Sequence, residues 1–147
     1  MAGGTCLCLV AMTVGDAIVP LVMPFVQTSI LENDNDWRAC EASIYALGLI
    51  LEDPTIEKLS PWLSILLDNL VDVMFTSNSH VIDRTAWTLS HVFELHSPVA
   101  GHSVITQENL PRVIVALLDD LSDSSHIAEK KLGGVEKTNS VILKTAN

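Results

Sequence analysis

This chain contains an internal sequence repeat, whose two copies lie about 42 residues apart. The first copy covers 36–52 and the second covers 78–94. When the second copy is laid over the first, the acid Asp83 falls on Glu41 and the ring of Trp87 falls on Tyr45. Apolar residues recur in both copies at spacings of three and four, which is the period of an amphipathic helix. The chain therefore repeats a helical unit.

A two-helix unit with a period of roughly 40 to 47 residues is typical of HEAT and armadillo repeats. Each such unit buries its apolar face only against its neighbours, so consecutive units stack into a solenoid. The predicted fold class is accordingly all-α. We expect an α-solenoid of HEAT (armadillo-like) helical repeats, with about three stacked helix pairs.

The apolar pattern and the turn residues divide the chain into a helical segment over 1–132 and a degenerate tail over 133–147. Pro24 is expected to bend or locally break the second helix. The fourth helix has two candidate starts, at Thr55 or at the pair Ser60-Pro61, where a serine cap precedes a proline in the first turn. The predicted helices lie near 2–13, 17–31, 37–51, 56–75, 80–95, 107–121 and 125–132.

The chain is acidic, with a formal net charge of −10 over 147 residues. Before residue 125 its basic residues are Arg38, Lys58, Arg84 and Arg112. Nucleic acid is excluded as a partner, because binding to phosphates requires clustered Lys and Arg. An acidic body favours a basic partner drawn in by the field. The alternative is an acidic surface that serves only solubility.

The apolar N-terminal stretch raises the question of a membrane span. Its continuous part, over 5–14, is too short to cross a bilayer, and Asp16, Pro20 and Pro24 interrupt the residues after it. No Lys or Arg precedes Arg38, so the positive region of a secretory signal is missing. We expect a core helix here and no membrane partner.

A second stripe of residues on the repeated helix carries the candidate site. In the second copy an acid is followed one turn later by an aromatic ring, and the first copy has the same order. A carboxylate beside an aromatic face suits Lys and Arg, whose charge pairs with the acid while the stem or plane lies on the ring. Alternatively, the aromatics are core packing between repeats. The candidate partner-binding residues are Glu41, Tyr45, Glu52, Asp83, Trp87, His91, Glu94 and Trp37, the last of which could instead staple a helix start.

Motifs for catalysis and metal binding are missing from the sequence. Its histidines lack the spacing of a zinc site, and no glycine-rich phosphate loop, nucleophile elbow or kinase signature is present. Cys6, Cys8 and Cys40 form no CxxC pair, so we expect buried, reduced thiols. The chain is predicted to be no enzyme and to carry no cofactor and no metal.

Several short runs agree in order and spacing, loops included, with one known family. They are Gly15–Pro20, Asp36–Arg38, Ile50–Glu52, Pro54–Pro61 and Ala86–Ser90. On these runs the chain resembles importin-β, the family of nuclear import receptors, and its sequence looks most like those of the plant members. The resemblance covers about residues 2–130, which is most of the chain.

The resemblance implies a central fragment of a longer superhelix, in which the second helix of each repeat lines a concave wall. It implies that this wall holds the basic segment of an importin-α-like adaptor, or a basic cargo segment, for protein import into the nucleus. Trp87 matches the family's repeat tryptophan, and Glu41 and Asp83 match its repeat acids. For the full-length family it implies Ran GTPase and nucleoporins as further partners, and a location in cytoplasm, nucleus and nuclear pore.

Some positions depart from the family pattern. They are Cys40, Ile82, Arg84 and His91, where relatives tend to carry other residues. Arg84 stands next to Asp83 and opposes attraction for a basic peptide. The alternative function is therefore a non-catalytic solenoid scaffold or truncated fragment without transport activity.

Overall fold

The computed structural model describes residues 2–32, 36–76, 78–96 and 103–123, and within these the regular secondary structure is helical with no strand. The predicted helix over 125–132 and the predicted tail over 133–147 lie outside the described residues. A 3-10 turn at Gly15–Ile18 joins the first two helices. The helices are α1 (Ala2–Val14), α2 (Val19–Leu31), α3 (Trp37–Ile50), α4 (Ile56–Thr76), α5 (Ser79–Leu95) and α6 (110–123).

Side-chain caps fix where the repeated helices begin. The Asp36 carboxylate accepts hydrogen bonds from the backbone N–H groups of Arg38 (3.0 Å) and Ala39 (3.4 Å) and so caps α3. Asn78 caps α5 in the same way, because its side-chain oxygen accepts from the N–H of His80 at 2.9 Å. The two copies of the repeat therefore begin with equivalent caps.

Two prolines lie inside helices rather than at their starts. α4 begins at Ile56 and continues through Pro61, so of its two candidate starts the structure has the one beside Thr55. α2 continues through Pro24 to Leu31, so of the two predicted outcomes the local break is wrong, and the bend stays a prediction. The proline removes only the hydrogen bond to the carbonyl of Pro20, an exposed residue in the first turn of α2 where water can take its place.

The helices stack in two layers, as the predicted all-α solenoid requires. α1, α3 and α5 lie side by side in one layer, and α2 and α4 lie in the other. α6 joins the second layer beside α4, where Arg112 forms ion pairs with Asp68 and Asp72. The core runs between the layers, and its largest fully buried side chains include Met23, Ile44, Leu47, Leu59, Leu66, Leu70 and Leu89.

The stretch Ala2–Leu31 is long and apolar enough, by length and composition alone, to cross a membrane. In the structure it is not one straight span, because Gly15 has a positive φ of 55° and turns the chain between α1 and α2. Ala11, Met23 and Val26 are then buried in the same core as α3 and α4. The structure thus uses this apolar stretch as two helices of the stack.

The three thiols differ in burial. Cys40 is buried as predicted, and burial raises the pKa of its thiol. The prediction of burial is wrong for Cys6, which is exposed, while Cys8 is half-buried and points its sulfur at the carbonyl of Leu49. Because Cys6 and Cys8 are two residues apart on a helix, only one of them can face α3.

Apolar side chains also remain exposed on the outer helices. They occur on α1, α2 and α6, on faces that no described element covers. Repeats of a solenoid normally bury such faces against the next repeat. On these three helices the most exposed are Leu9, Met12, Leu21, Phe25, Leu31, Val115, Leu118 and Leu121, and on α4 Ile65 and Phe75 are exposed as well.

Candidate functional site

Two aromatic rings from successive repeats meet where α3 and α5 pack. The rings of Tyr45 and Trp87 have centroids 5.6 Å apart and are tilted by 54°. The Trp87 ring lies directly on Gly48, where a Cβ atom would overlap it. Glycine at this position therefore lets the tryptophan ring approach the backbone of α3 closely, and the side chain is half-buried there.

The guanidinium of Arg84 lies in the notch formed by these rings and one acid. Its Cζ atom is 4.1 Å from the centroid of the Tyr45 ring and 5.7 Å from that of Trp87. Its Nη2 is 3.7 Å from Oε1 of Glu41, and the two side chains are 31% and 29% exposed. We call Glu41, Tyr45 and Trp87 the acid–aromatic notch. This notch is occupied by an arginine of the same chain.

An open cleft of about 260 Å³ adjoins the notch. Glu41 and Trp87 line it from the notch side, together with His80, Asp83 and Arg84. Each repeat thus contributes one carboxylate to the cleft, because Glu41 comes from α3 and Asp83 from α5. The cleft can bind a cation if the charge of Arg84 does not cancel that of the acids.

Two tryptophan rings, those of Trp87 and Trp37, each contact a histidine ring. His91 has its centroid 4.4 Å from that of Trp87, and its Nδ1 is 2.9 Å from the Trp87 backbone carbonyl. Since a carbonyl only accepts, Nδ1 carries the proton and donates it. At the other end of the cleft His80 stacks on Trp37 at 5.6 Å, and the guanidinium of Arg38 lies 4.7 Å over the same Trp37 ring.

The predicted partner-binding residues divide into two groups. Glu41, Tyr45 and Trp87 contact Arg84, and Asp83 lines the same cleft. His91 joins them only through its contact with the Trp87 ring, and Trp37 only through its stacking on His80. Glu52 and Glu94 lie apart: Glu52 is in the turn after α3, and Glu94 is on α5 roughly 10 Å along the helix from Trp87. A binding role for the gathered residues stays a prediction. They are Glu41, Tyr45, Asp83, Trp87 and His91.

Two residues of the cleft were not among the predicted binding residues. Sequence reasoning treated Arg84 only as a departure near the site and did not use His80. A signal was present, because His80, Arg84, Trp87 and His91 follow one another at spacings of four, three and four. These spacings place all four on one face of α5.

Negative charge extends from the cleft onto α6. Partial burial raises the pKa of the Asp120 carboxyl, and the nearby charges of Asp83, Asp123 and Asp119 raise it further. The acid of α5 that lines the cleft is therefore close enough to α6 for the two carboxylates to repel each other. Among the described residues no cluster of His, Cys, Asp and Glu is arranged to hold a metal ion.

Several known proteins have sequences similar to that of this chain. The chain is 43% identical to importin subunit beta-1 of Arabidopsis thaliana over 137 residues, which is 92% of this chain and 16% of that relative. It is 35% identical to importin subunit beta-1 of Schizosaccharomyces pombe over 86% of this chain and 14% of the relative. It is also 27% identical to transportin-1 of Oryza sativa subsp. japonica over 76% of this chain.

No protein-family model and no solved structure matches the chain. The chain spans about one sixth of the length of the plant importin subunit that it matches. The alignment nevertheless covers nearly all of this chain, and it agrees with the stacked helix pairs of the structure. The chain therefore belongs to the importin-β family, in which it corresponds to one segment of a much longer helical-repeat protein.

Proposed function

We propose that this chain is the part of a nuclear import receptor that binds basic, extended segments of an adaptor or cargo protein along the α3–α5 surface. The observation that carries the proposal is the acid–aromatic notch, which holds a guanidinium over Tyr45 and beside Glu41. A notch with this geometry suits an arginine of a partner equally well.

The charges of the molecule support a basic partner. The chain carries a net charge of −10, and Asp83 adds a second carboxylate to the cleft beside Glu41. A field of this sign attracts Lys- and Arg-rich segments and speeds their encounter. The partner we propose is the basic segment of an importin-α-like adaptor, or a cargo with a similar segment.

The whole receptor would add functions that this segment alone does not supply. We propose that binding of Ran GTPase and of nucleoporins belongs to the longer protein, and that it moves between cytoplasm and nucleus through the nuclear pore. The part proposed for this chain is non-catalytic: it holds the basic segment while other repeats of the receptor govern release and passage.

The test is a fluorescence titration of the purified chain with an arginine-rich peptide. We expect saturable quenching of tryptophan emission that weakens when salt rises from about 50 to about 200 mM, because the Debye length shortens over that range. Trp87→Ala should weaken binding by about tenfold. Asp83→Asn should weaken it less, because Asp83 is exposed to solvent.

The matched control is Glu57→Gln, which removes the same charge from an exposed position on α4, in the other layer. It should leave the affinity nearly unchanged. Equal losses in the Asp83 and Glu57 variants would show that only the net charge matters. A folded wild-type chain that shows no saturable response would contradict the proposed function.

A scaffold without peptide binding is the second candidate, and one observation favours it. Large apolar side chains are exposed on α1 and α6, among them Met12 at 68% and Leu121 at 64%. Such faces promote association with other protein surfaces. Sedimentation of the purified chain distinguishes the candidates, because a scaffold predicts concentration-dependent self-association and no preference for basic peptides.

A further inference from the structure

We propose that Arg84 is an internal competitor for the partner's arginine, so that it sets which basic segments the acid–aromatic notch accepts. This inference rests on the proposed function, since it concerns the regulation of the same notch. It assigns a specificity role to a residue that the sequence alone marks only as an unfavourable charge.

The contacts of Arg84 are the ones that a bound arginine would make. Its guanidinium lies 4.1 Å over the Tyr45 ring, 5.7 Å from the Trp87 ring and 3.7 Å from the Glu41 carboxylate. A cation over an aromatic face and a carboxylate partner are the two interactions that recognise a guanidinium. A partner's arginine can take this position only if Arg84 leaves it.

Arg84 is held incompletely, which makes its departure feasible. Its Nε atom is buried and has no hydrogen-bond partner among the residues that the structure describes. Its contact with Glu41 is longer than a close, bidentate arginine–carboxylate pair. Moving to solvent restores hydration to the unpaired donor and so offsets part of the lost contacts.

The neighbours of Arg84 on α5 do not hold it in place by charge. The residues three and four positions away are His80, Val81, Trp87 and Thr88, and none of them is a carboxylate. Helical ion pairs form at these spacings, so Arg84 gains none within its own helix. Its position therefore depends on Glu41 and the rings, which are the groups that a ligand also needs.

The charges in the cleft determine which basic segments can displace Arg84. With Arg84 in place, its positive charge offsets one of the two carboxylates, Glu41 and Asp83. A ligand with a single arginine replaces one guanidinium by another and gains little. A segment with several basic residues displaces Arg84 and also pairs with Asp83 and the other exposed acids. The internal competitor thus favours multiply basic segments over isolated arginines.

The experiment compares Arg84→Gln with the wild-type chain in titrations with two peptides, one arginine-rich and one with a single arginine. Removing the competitor should tighten binding of the arginine-rich peptide by about tenfold. The gain should be larger for the single-arginine peptide, so the preference for multiply basic segments should shrink.

Arg38→Gln is the matched control. Arg38 also lies over a tryptophan, Trp37, and its loss changes the net charge equally, but it lies outside the notch. Its effect on affinity should be no more than about twofold. Equal gains in both variants would show that long-range charge alone acts, and this would overturn the proposal. Weaker binding by Arg84→Gln would overturn it too, because Arg84 would then contribute to the site.

A small probe separates this inference from the proposed function. Methylguanidinium chloride at millimolar concentration should perturb the emission of Trp87 in Arg84→Ala but not in the wild-type chain, with sodium chloride at the same concentration as the salt control. Arg84→Gln provides a second variant if the alanine variant does not fold, since it removes the charge and keeps a polar side chain at this position.

The outcomes differ for the two ideas. If the probe binds Arg84→Ala and no variant binds either peptide, the internal competitor stands and the proposed function fails. If the wild-type chain binds the arginine-rich peptide through Trp87 and no Arg84 variant changes peptide or probe binding, the function stands and the internal competitor is refuted.

Discussion

At the scale of single residues, the site depends on a contact between a glycine, Gly48, and a tryptophan, Trp87. Gly48 on α3 leaves the space that the Trp87 ring of α5 fills. The ring also contacts the rings of Tyr45 and His91. A ring held on several sides keeps its orientation, which is what recognition of a flat guanidinium requires.

The substitution Gly48→Ala tests this contact. The added Cβ would overlap the Trp87 ring, and such overpacking costs about 1–3 kcal/mol. Alanine is favoured over glycine in a helix by about 0.5–1 kcal/mol, so we expect a net loss of about 1 kcal/mol in the free energy of unfolding. Urea denaturation measures it. Gly3→Ala is the control, because a Cβ at Gly3 meets open space; a stabilised Gly48→Ala chain would mean that the ring moves freely.

Residue spacing predicted some of these contacts and not others. The register of Tyr45 with Trp87 follows from the repeat itself, because equal positions in stacked units come to lie side by side. The position of Arg84 does not follow, since a long side chain beside an acid can point to Asp83, to Glu41 or to solvent. Its place over Tyr45 is decided by packing between α3 and α5, which a single sequence does not specify.

At the scale of helices, one carboxylate links two turns that are far apart in sequence. Asp16, in the turn between α1 and α2, accepts hydrogen bonds from the backbone N–H and the hydroxyl of Thr55, at 2.6 Å and 3.2 Å. Thr55 directly precedes α4, so the contact satisfies a free donor at the start of that helix. It holds the first turn of the chain against the next repeat.

Asp16→Ala should therefore destabilise the fold. Loss of a charged acceptor from a helix start costs about 1–2 kcal/mol, and the unpaired N–H of Thr55 can recover part of this from water. Thermal unfolding followed by circular dichroism gives the change. Glu52→Ala removes an exposed acid from the turn that precedes the same helix and should change stability by less than about 0.5 kcal/mol.

Helices with a clear apolar stripe were predictable from sequence, and their interruptions were less so. α5 buries Val81, Thr85, Leu89 and Val92, the residues that helical spacing places on one face. The continuity of α2 through Pro24 was not predictable, because it depends on whether solvent can satisfy the carbonyl that the proline leaves free.

At the scale of the whole molecule, the acidic charge is spread along successive repeats. Glu41 on α3 and Asp83 on α5 face one cleft, and Asp120 on α6 is close enough to feel the charge of Asp83. Like charges at these separations destabilise the folded chain but raise the potential that a basic partner meets. The carboxylates of Asp83 and Asp120 thus repel each other at some cost in stability.

The substitution Asp120→Asn tests how much this repulsion lowers the stability of the folded chain. Burial and neighbouring carboxylates raise the pKa of Asp120 above its ordinary 3.8, so the folded chain holds this proton more tightly than the unfolded chain. Stability is then lost as pH rises from near 4 through the raised pKa. The variant should melt at a higher temperature than the wild-type chain at pH 7. The difference should shrink as the pH falls and disappear only well below pH 3.8, where this carboxyl is protonated in the folded and the unfolded chain alike. A constant difference at all pH values would contradict this origin.

The solenoid class was predictable because one repeated pattern recurs in the chain, whereas the cleft was not. The period identifies two-helix units, and their stacking follows from the apolar faces that each unit exposes. The cleft arises from the angle at which α5 lies on α3, and that angle depends on contacts such as the one between Trp87 and Gly48.

One buried hydrogen bond has a consequence for shape. The Thr88 hydroxyl donates to the Ile44 carbonyl at 3.0 Å, and it joins α5 to α3 inside the core. A hydrogen bond tolerates only a narrow range of distance and angle, so it fixes the rotation of one repeat relative to the one before it. In a long array such rotations add up from repeat to repeat. A single threonine here thus helps to set the pitch of the superhelix, and hence how tightly a longer array of such repeats coils.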